Sequence, residues 1–310
     1  MPAQAETTRA DITILSTMVA NYLGEGEWGF AALIETPDKS ILFDTGFKAE
    51  TVLNNARHLK VDLSSTEIVV LTHFHTDHTG GLLTLREAYK KKNPKVLSTV
   101  YVAKGFFDQR FDANHQPAYS LPNPGFTRSF KTPEEFKKAA EALGIRFVIV
   151  DSPTKLAPGV FLTGPITRTH PERNVSPGLF LKAGDEYAAD TVPESQVVGI
   201  DTDQGWLLVS GCGHAGVVNA SEQLLKIKKQ PIIMGVGGFH LFRASDETVS
   251  WTAGKLKELG YEKFVGAHCT GARATYHIRD HLGLPDSSIS IGAVGTRVDT
   301  DLVIHPASID

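Results

Sequence analysis

The sequence predicts a layered fold of mixed α and β structure, and three observations carry that expectation. Short runs rich in β-branched residues alternate with longer amphipathic stretches, the pattern of strands interleaved with helices. Apolar residues make up 41% of the 310 residues and charged residues 21%, ordinary values for a protein with a sizeable core. Helix start and stop signals bracket the amphipathic stretches.

Strands are expected at residues 11–17, 29–35, 40–43, 68–71, 100–103, 146–150, 160–163, 197–201, 206–210, 232–236, 263–267 and 288–293. Thr132 is placed to cap a helix with Pro133 at its first position and Glu135 completing a capping box. Phe136, Ala139, Ala140 and Leu143 form that helix's apolar stripe, and Gly144 ends it. Ser245 starts a second helix with Val249, Thr252, Leu256 and Leu259 on one face and Gly260 as the stop; two more run over 217–229 and 272–282. No low-complexity linker or internal repeat divides the chain, so residues 1–310 read as one domain. The least regular stretch, 104–131, is rich in Pro, Asn, Phe and Arg and is expected to be a lid, a substrate wall or a surface insertion.

With 31 basic and 35 acidic residues the net charge is −4, which argues against a nucleic-acid partner. The one basic run, Lys90-Lys91-Lys92, reads as the solvated end of a helix. Two cysteines, Cys212 and Cys269, make no disulfide scaffold; a bond between them is conceivable, but each is better explained by its own local motif. No apolar run is long enough for a membrane span. The polar stretch from Met1 to Ala10 lacks an apolar signal core, which favours the cytoplasm. Its start, Pro2-Ala3-Gln4-Ala5, keeps a periplasmic or secreted protein with a removed export signal as the alternative.

The sharpest signal is Leu71-Thr72-His73-Phe74-His75-Thr76-Asp77-His78-Thr79-Gly80-Gly81. Three imidazoles and a carboxylate fall at the end of an apolar strand and before a helical pattern. Histidine is the commonest metal ligand at neutral pH, and a carboxylate adds charge to hold a divalent cation. A loop leaving a strand end turns His73 and His75 toward one metal, and Asp77 with His78 toward a second beside it.

His-x-His-x-Asp-His after a strand resembles the signature of the metallo-β-lactamase superfamily. The segment Ile41-Leu42-Phe43-Asp44-Thr45-Gly46 resembles that superfamily's upstream strand-turn, whose aspartate supports the metal loop. Four further segments resemble the 7,8-dihydropterin-6-methyl-4-(β-D-ribofuranosyl)aminobenzene 5'-phosphate synthase-like branch. They are Glu27-Trp28-Gly29-Phe30, Ser210-Gly211-Cys212-Gly213-His214-Ala215-Gly216, Gly237-Gly238-Phe239-His240-Leu241 and His268-Cys269-Thr270-Gly271. The resemblance implies an α+β fold, a four-layer αββα sandwich, with the site at the shared edge of two mixed sheets.

On this reading His214 completes the His73/His75 site and His268 the Asp77/His78 site, each metal keeping an open position. Cys212 stands where many members carry a bridging carboxylate and is either a further ligand or a small buried residue. His170 lies near where other branches place their third histidine, and competes with His214. Asp44 orients a ligand histidine from behind. Asp77 also orients the attacking hydroxide, and His240 contacts substrate or leaving group. Arg168 and Arg273 are candidate anion clamps.

Two divalent ions, zinc first with manganese or iron as alternatives, imply hydrolysis of a small ester, lactone, amide or phosphoester by a metal-activated hydroxide. The branch implies an alternative, condensation of a dihydropterin diphosphate. Iron-based redox chemistry and a non-catalytic metal-stabilised module complete the competing classes.

Overall fold

Strands covered on both faces are apolar at nearly every position rather than alternating, and the inner strands of the two large sheets are of this kind. The structure is a computed structural model and describes residues 7–118, 130–172, 174–175 and 178–307. One sheet has eight strands, in the spatial order Ile304–His305, Arg297–Val298, Asp11–Ser16, Ala31–Glu35, Ser40–Phe43, Ile68–Val70, Thr99–Ala103 and Arg146–Val150. The other has seven, in the order Ile289–Ile291, Lys263–Gly266, Ile232–Gly237, Trp206–Ser210, Val198–Asp201, Val160–Leu162 and Thr154–Ala157.

Residue alternation along each strand sorts the core into three layers of contact. Ile41, Phe43, Ile68 and Val70 of the first sheet share a cluster with Leu207, Val209, Met234 and Val236 of the second. Their neighbours Leu42 and Val69 turn the other way, to Val52, Leu85 and Phe136 of the helices Thr51–His58, Leu82–Tyr89 and Pro133–Ala142. Trp206 and Leu208 likewise meet Leu224, Leu256 and Ile278 of Val217–Ile227, Asp246–Leu259 and Ala272–Leu282. Helices, sheet, sheet, helices is the four-layer arrangement the resemblance implied.

Both sheets contain a parallel block, formed by Ser40–Phe43, Ile68–Val70, Thr99–Ala103 and Arg146–Val150 in one. In the other it runs through Trp206–Ser210, Ile232–Gly237, Lys263–Gly266 and Ile289–Ile291. The carboxyl ends of such strands are where an open α/β sheet presents side chains to a ligand. Asp44, His73, Cys212, His240 and His268 all lie just past one of these ends.

Every strand segment read from the sequence contains a strand, with ends shifted by a few residues. Missed were the short strands, including a small sheet of Glu186–Ala189, Phe180–Ala183, Arg110–Phe111 and Pro117–Ala118. The two-residue strands carry no periodicity to read, and the four-residue strands Phe180–Ala183 and Glu186–Ala189 are largely exposed and lack an apolar run. That small sheet takes in part of the irregular stretch 104–131; its residues 119–129 lie outside the described ones. Lys91 and Lys92 are exposed just beyond the helix Leu82–Tyr89, the solvated helix end their charge suggested. Among the described residues no helix is long and apolar enough to cross a membrane.

The helix caps depart from expectation in one detail. Thr132 Oγ1 accepts from the Glu135 amide at 3.2 Å, but the Glu135 carboxylate accepts from the amide of Lys131, at 2.7 Å, one residue before the cap. Ser245 Oγ accepts from the Thr248 amide at 3.2 Å, and Gly260 closes that helix at φ 96°. Thr132→Ala leaves one helix amide unpaired and should lower unfolding stability by about 1 kcal/mol, read as a shifted urea midpoint with an unchanged slope.

Candidate metal centre

The strand Ile68–Val70 delivers Thr72 and His73 to the site, and the one-turn helix Thr76–Thr79 delivers Asp77 and His78. Backbone closeness rather than flexibility explains Gly80, which has an ordinary helical φ of −62°. A Cβ there would meet the Phe47 carbonyl oxygen at 1.8 Å.

Two donor groups form side by side. His73, His75 and His214 bring one nitrogen each together, and Asp77, His78, Cys212 and His268 bring an oxygen, two nitrogens and a sulfur; within each group every pair lies within 4.8 Å. The rings of His73 and His78 are 4.3 Å apart, so the groups are neighbours. All seven residues are buried.

Hydrogen bonds fix which nitrogen each histidine presents. The Asp44 carboxylate accepts from the Thr72 amide (2.8 Å), from Thr72 Oγ1 (2.8 Å) and from His78 Nδ1 (2.7 Å). Because the Thr72 hydroxyl proton goes to Asp44, its oxygen is left to accept from His73 Nδ1 at 2.9 Å. His214 Nδ1 donates to the Asn174 carbonyl at 2.5 Å. The Nε2 atoms of His73, His78 and His214 therefore all face inward, those of His73 and His214 as lone pairs.

Two of the acceptors gathered there have no protein partner at all. His214 Nε2 and Asp77 Oδ1 are buried without a hydrogen-bond partner, and His73 Nε2 faces His75 Nδ1 at 3.1 Å. On the other side His78 Nε2 and His268 Nε2 stand 3.1 and 3.3 Å from Cys212 Sγ, and 3.5 and 3.4 Å from Asp77 Oδ2. Unmatched buried acceptors are costly, and a divalent cation satisfies this convergence directly. The residues present fit a pair of such ions.

Electrostatics separates the two groups. Burial first, then the surrounding imidazoles, holds His73 and His214 well below the usual histidine range. Burial also lowers His75 to about 4 against the opposing pull of Asp77. These three are neutral at physiological pH, the state a ligand needs. Burial works against the charge on His78 and His268 too. It is outweighed by Asp77 and Asp44 at His78, raised to about 10, and by Cys269 and Asp77 at His268, raised to about 9. Asp77 stays well below its usual value, since His78 and His268 outweigh its burial. This half of the site calls for positive charge.

The remaining sequence candidates separate clearly. His170 joins neither group: its Nε2 pairs with Glu222 at 2.7 Å, and its backbone is held by Asn219. Both candidate arginines have protein partners in this structure. Arg168 donates to the His214 carbonyl oxygen at 2.7 Å and to that of Thr191, bracing the His214 turn, and Arg273 pairs with Asp246 and the Ala244 carbonyl. His240 sits outside both donor groups, its ring 4.7 Å from that of His214, with a left-handed φ of 48°.

Sequence reading missed several supports. Trp28 packs its ring 5.2 Å from that of His268 and lines the small pocket over the donors. Glu27 accepts from Ser16 Oγ at 2.6 Å and from the amides of Phe47 and Lys48 at 2.9 and 2.7 Å, fixing the turn after Asp44. Both lie in a segment quoted for its resemblance but given no role. Asn174 acts through its carbonyl, for which a side chain gives no signal. Arg110, ion-paired to Asp190 at 3.2 Å and to Glu194, sits under the loop where the Phe74 amide donates to Glu194 at 3.1 Å. An ion pair that joins residues so far apart in sequence leaves no local pattern.

Two outcomes follow from this geometry. His170→Ala should leave metal content unchanged, whereas His214→Ala should lower bound metal measurably by elemental mass spectrometry; the reverse would exchange their roles. Glu172 accepts from the amides of Val218 and Asn219 at the start of the helix Val217–Ile227, yet burial raises its pKa to about 7. The folded state thus keeps a proton that the unfolded chain has released, so this group's contribution to stability is lost as pH rises from about 4.5 to about 7. Glu172→Gln removes that titration. Paired urea titrations across this window should show wild type losing stability relative to the variant as pH rises.

Comparison with known proteins agrees with this architecture. The family model described as the Metallo-beta-lactamase superfamily matches residues 29–268. The chain is 30% identical over 279 residues to the 7,8-dihydropterin-6-methyl-4-(beta-D-ribofuranosyl)-aminobenzene-5'-phosphate synthase of Methanocaldococcus jannaschii, spanning 86% of this chain and 90% of that protein. A crystal structure described as a metal-dependent hydrolase of the beta-lactamase superfamily superposes with a TM-score of 0.72 at 28% identity, covering 94% of this chain and 98% of the other. The metallo-beta-lactamase fold protein YhfI from Bacillus subtilis shares the fold at a TM-score of 0.53 and 15% identity, over 93% and 98% of the two chains. Because the family match spans most of the chain and frames both donor groups, this protein belongs to the Metallo-beta-lactamase superfamily.

Proposed function

We propose that this protein is a binuclear metal-dependent hydrolase of a small ester, lactone, amide or phosphoester. The observation that carries the reading is the pair of adjoining donor groups opening, past His240, onto a cavity. That cavity, about 610 Å³, is lined in part by Glu172, Asn174, His240, Arg243, Trp251 and Thr252. His240 also lines the small pocket formed by Trp28, His75, Asp77, His214 and His268. A substrate seated in the larger space presents its reacting bond beside His240 and over the donors.

His73, His75 and His214 would hold one ion, and Asp77, His78 and His268 the other, with Cys212 at hand as a further donor to the second. Imidazole, carboxylate and thiol together favour zinc, with manganese or iron as alternatives. Bound there, a pair of divalent ions supplies Lewis acidity and a water of lowered pKa. Asp77 keeps Oδ1 free of protein partners, so it can take up a proton from an attacking water. His240 is placed to hold the leaving group. Asn174 and Asp44 keep His214 and His78 in the tautomers that bind.

The relative named as a synthase supports a second reading, condensation of a diphosphate substrate on the same ligand set. The two readings differ in the attacking group, water or an organic nucleophile, and product analysis separates them.

Protein prepared without a metal-affinity tag should carry about two equivalents of divalent metal. A lactone and phosphoester screen should give metal-dependent turnover that Asp77→Ala lowers by about 10²–10⁴-fold with an unchanged circular-dichroism spectrum. Metal-free protein after reconstitution, or Asp77→Ala near wild-type activity, would remove the hydrolase assignment. Diphosphate release that requires an added nucleophile would favour the condensing reading.

A further inference from the structure

The chain has two cysteines, and they meet. Cys212 follows the strand Trp206–Ser210 and Cys269 follows Lys263–Gly266, the two strands that flank Ile232–Gly237. Their Sγ atoms are 3.4 Å apart, and Cys269 Sγ also lies 3.7 Å from the Cys212 carbonyl oxygen. The backbone is trimmed to let them approach: a Cβ on Gly238 would come within 3.0 Å of Cys269 Sγ and 2.0 Å of the Gly211 carbonyl oxygen. Only Cys212 belongs to the donor group, where its sulfur faces His78 and His268.

We propose that Cys212 and Cys269 form a reversible disulfide driven by a hydroperoxide, and that this bond and metal binding at Cys212 exclude each other. The second half of the statement rests on the metal reading above; the first half does not. Closing the sulfurs from 3.4 Å to a bond of about 2.05 Å asks for an approach of only roughly 1.4 Å. Once bonded, Cys212 Sγ has no thiolate to offer a metal.

The oxidant class follows from access. Both sulfurs are nearly inaccessible from bulk solvent, but both line the small pocket over the donors, a space of about 30 Å³. That holds a molecule or two of water size, so hydrogen peroxide fits and a glutathione-sized disulfide does not. The thiolate of Cys269, outside the donor group, attacks peroxide; the O–O bond breaks, a sulfenic acid forms and hydroxide leaves. The thiolate of Cys212 then attacks that sulfur, forming the S–S bond and breaking S–O, with a second hydroxide released. The two thiol protons neutralise the hydroxides, so two thiols and one peroxide give one disulfide and two waters.

The test treats reduced, metal-free protein and zinc-loaded protein with hydrogen peroxide, quenches with N-ethylmaleimide in denaturant, and reads intact mass and zinc content. Metal-free wild type should lose about 2 Da and become unreactive to the alkylator, recovering both thiols and its zinc uptake with dithiothreitol. Zinc-loaded protein should oxidise on the order of tenfold more slowly. Cys269→Ser should take up as much zinc as wild type and never form the internal bond. Metal-free wild type that keeps two alkylatable thiols, or gains oxygens instead of losing hydrogens, overturns the disulfide. Equal rates with and without zinc overturn the exclusion. A reduced protein that takes up no zinc fails the hydrolase reading and the exclusion together, while its mass after peroxide still decides the disulfide by itself.

Discussion

Asp44 has no exposed surface and a left-handed φ of 55°, a conformation that costs a non-glycine residue free energy. Three donors justify it: the amide and the hydroxyl of Thr72, and Nδ1 of His78. Through the hydroxyl, Asp44 decides which nitrogen of His73 faces inward; through the imidazole, it decides the same for His78. One carboxylate therefore sets a ligand in each donor group, and the approach of a third strand end depends on it as well. A Cβ on Gly211 would reach 2.3 Å from Asp44 Oδ2, so the turn that carries Cys212 and His214 can close over Asp44 only as glycine.

The two groups are built with different charge. His73, His75 and His214 are held neutral by burial and by one another, so an ion bound there keeps its full charge and with it most of its polarising power. Asp77, His78, Cys212 and His268 contain a carboxylate, with Asp44 behind His78 and Cys269 beside His268, and these surroundings favour cations enough to raise two buried histidines. That asymmetry suits a division of labour in which one ion is firmly held and the other acts mainly on the electrophile. It also makes Cys212 the point where the charge of the second group is adjustable, because its thiolate is the one donor that oxidation can remove.

Legibility in the sequence follows the range of each interaction. The long strands and capped helices were readable because their signals are local: apolar runs, Thr132, Ser245 and Gly260. His73, His75, Asp77 and His78 were readable because four donors share one loop. His214 and His268 carry no such pattern and were reached through resemblance and their position after apolar strands. The preference for His214 over His170 came from resemblance, and no local pattern shows the contacts with Glu222 and Asn219 that hold His170 apart from the donors. The supports made by backbone atoms, above all the Asn174 carbonyl, were invisible for the same reason, whereas a bond between Cys212 and Cys269 was conceivable from the sequence but set aside for a local reading of each.

The donors and the cavity come from separable parts of the fold. Donors sit at the ends of strands packed on both faces, where a shift of one side chain disturbs two cores. The wall of the cavity comes instead from the loop through Glu172 and from the start of the helix Asp246–Leu259, with Trp251 and Arg243 exposed. Substitution there changes shape and charge without touching a donor. A fold arranged in this way can keep its donors while the wall of its cavity changes, so the fold by itself does not name a substrate. Glu172 and His240 are the two residues where these parts touch: Glu172 caps the helix that follows His214, and His240 borders both spaces. Selection for a new substrate would therefore be freest at Arg243, Glu247 and Trp251, and most constrained at Glu172 and His240.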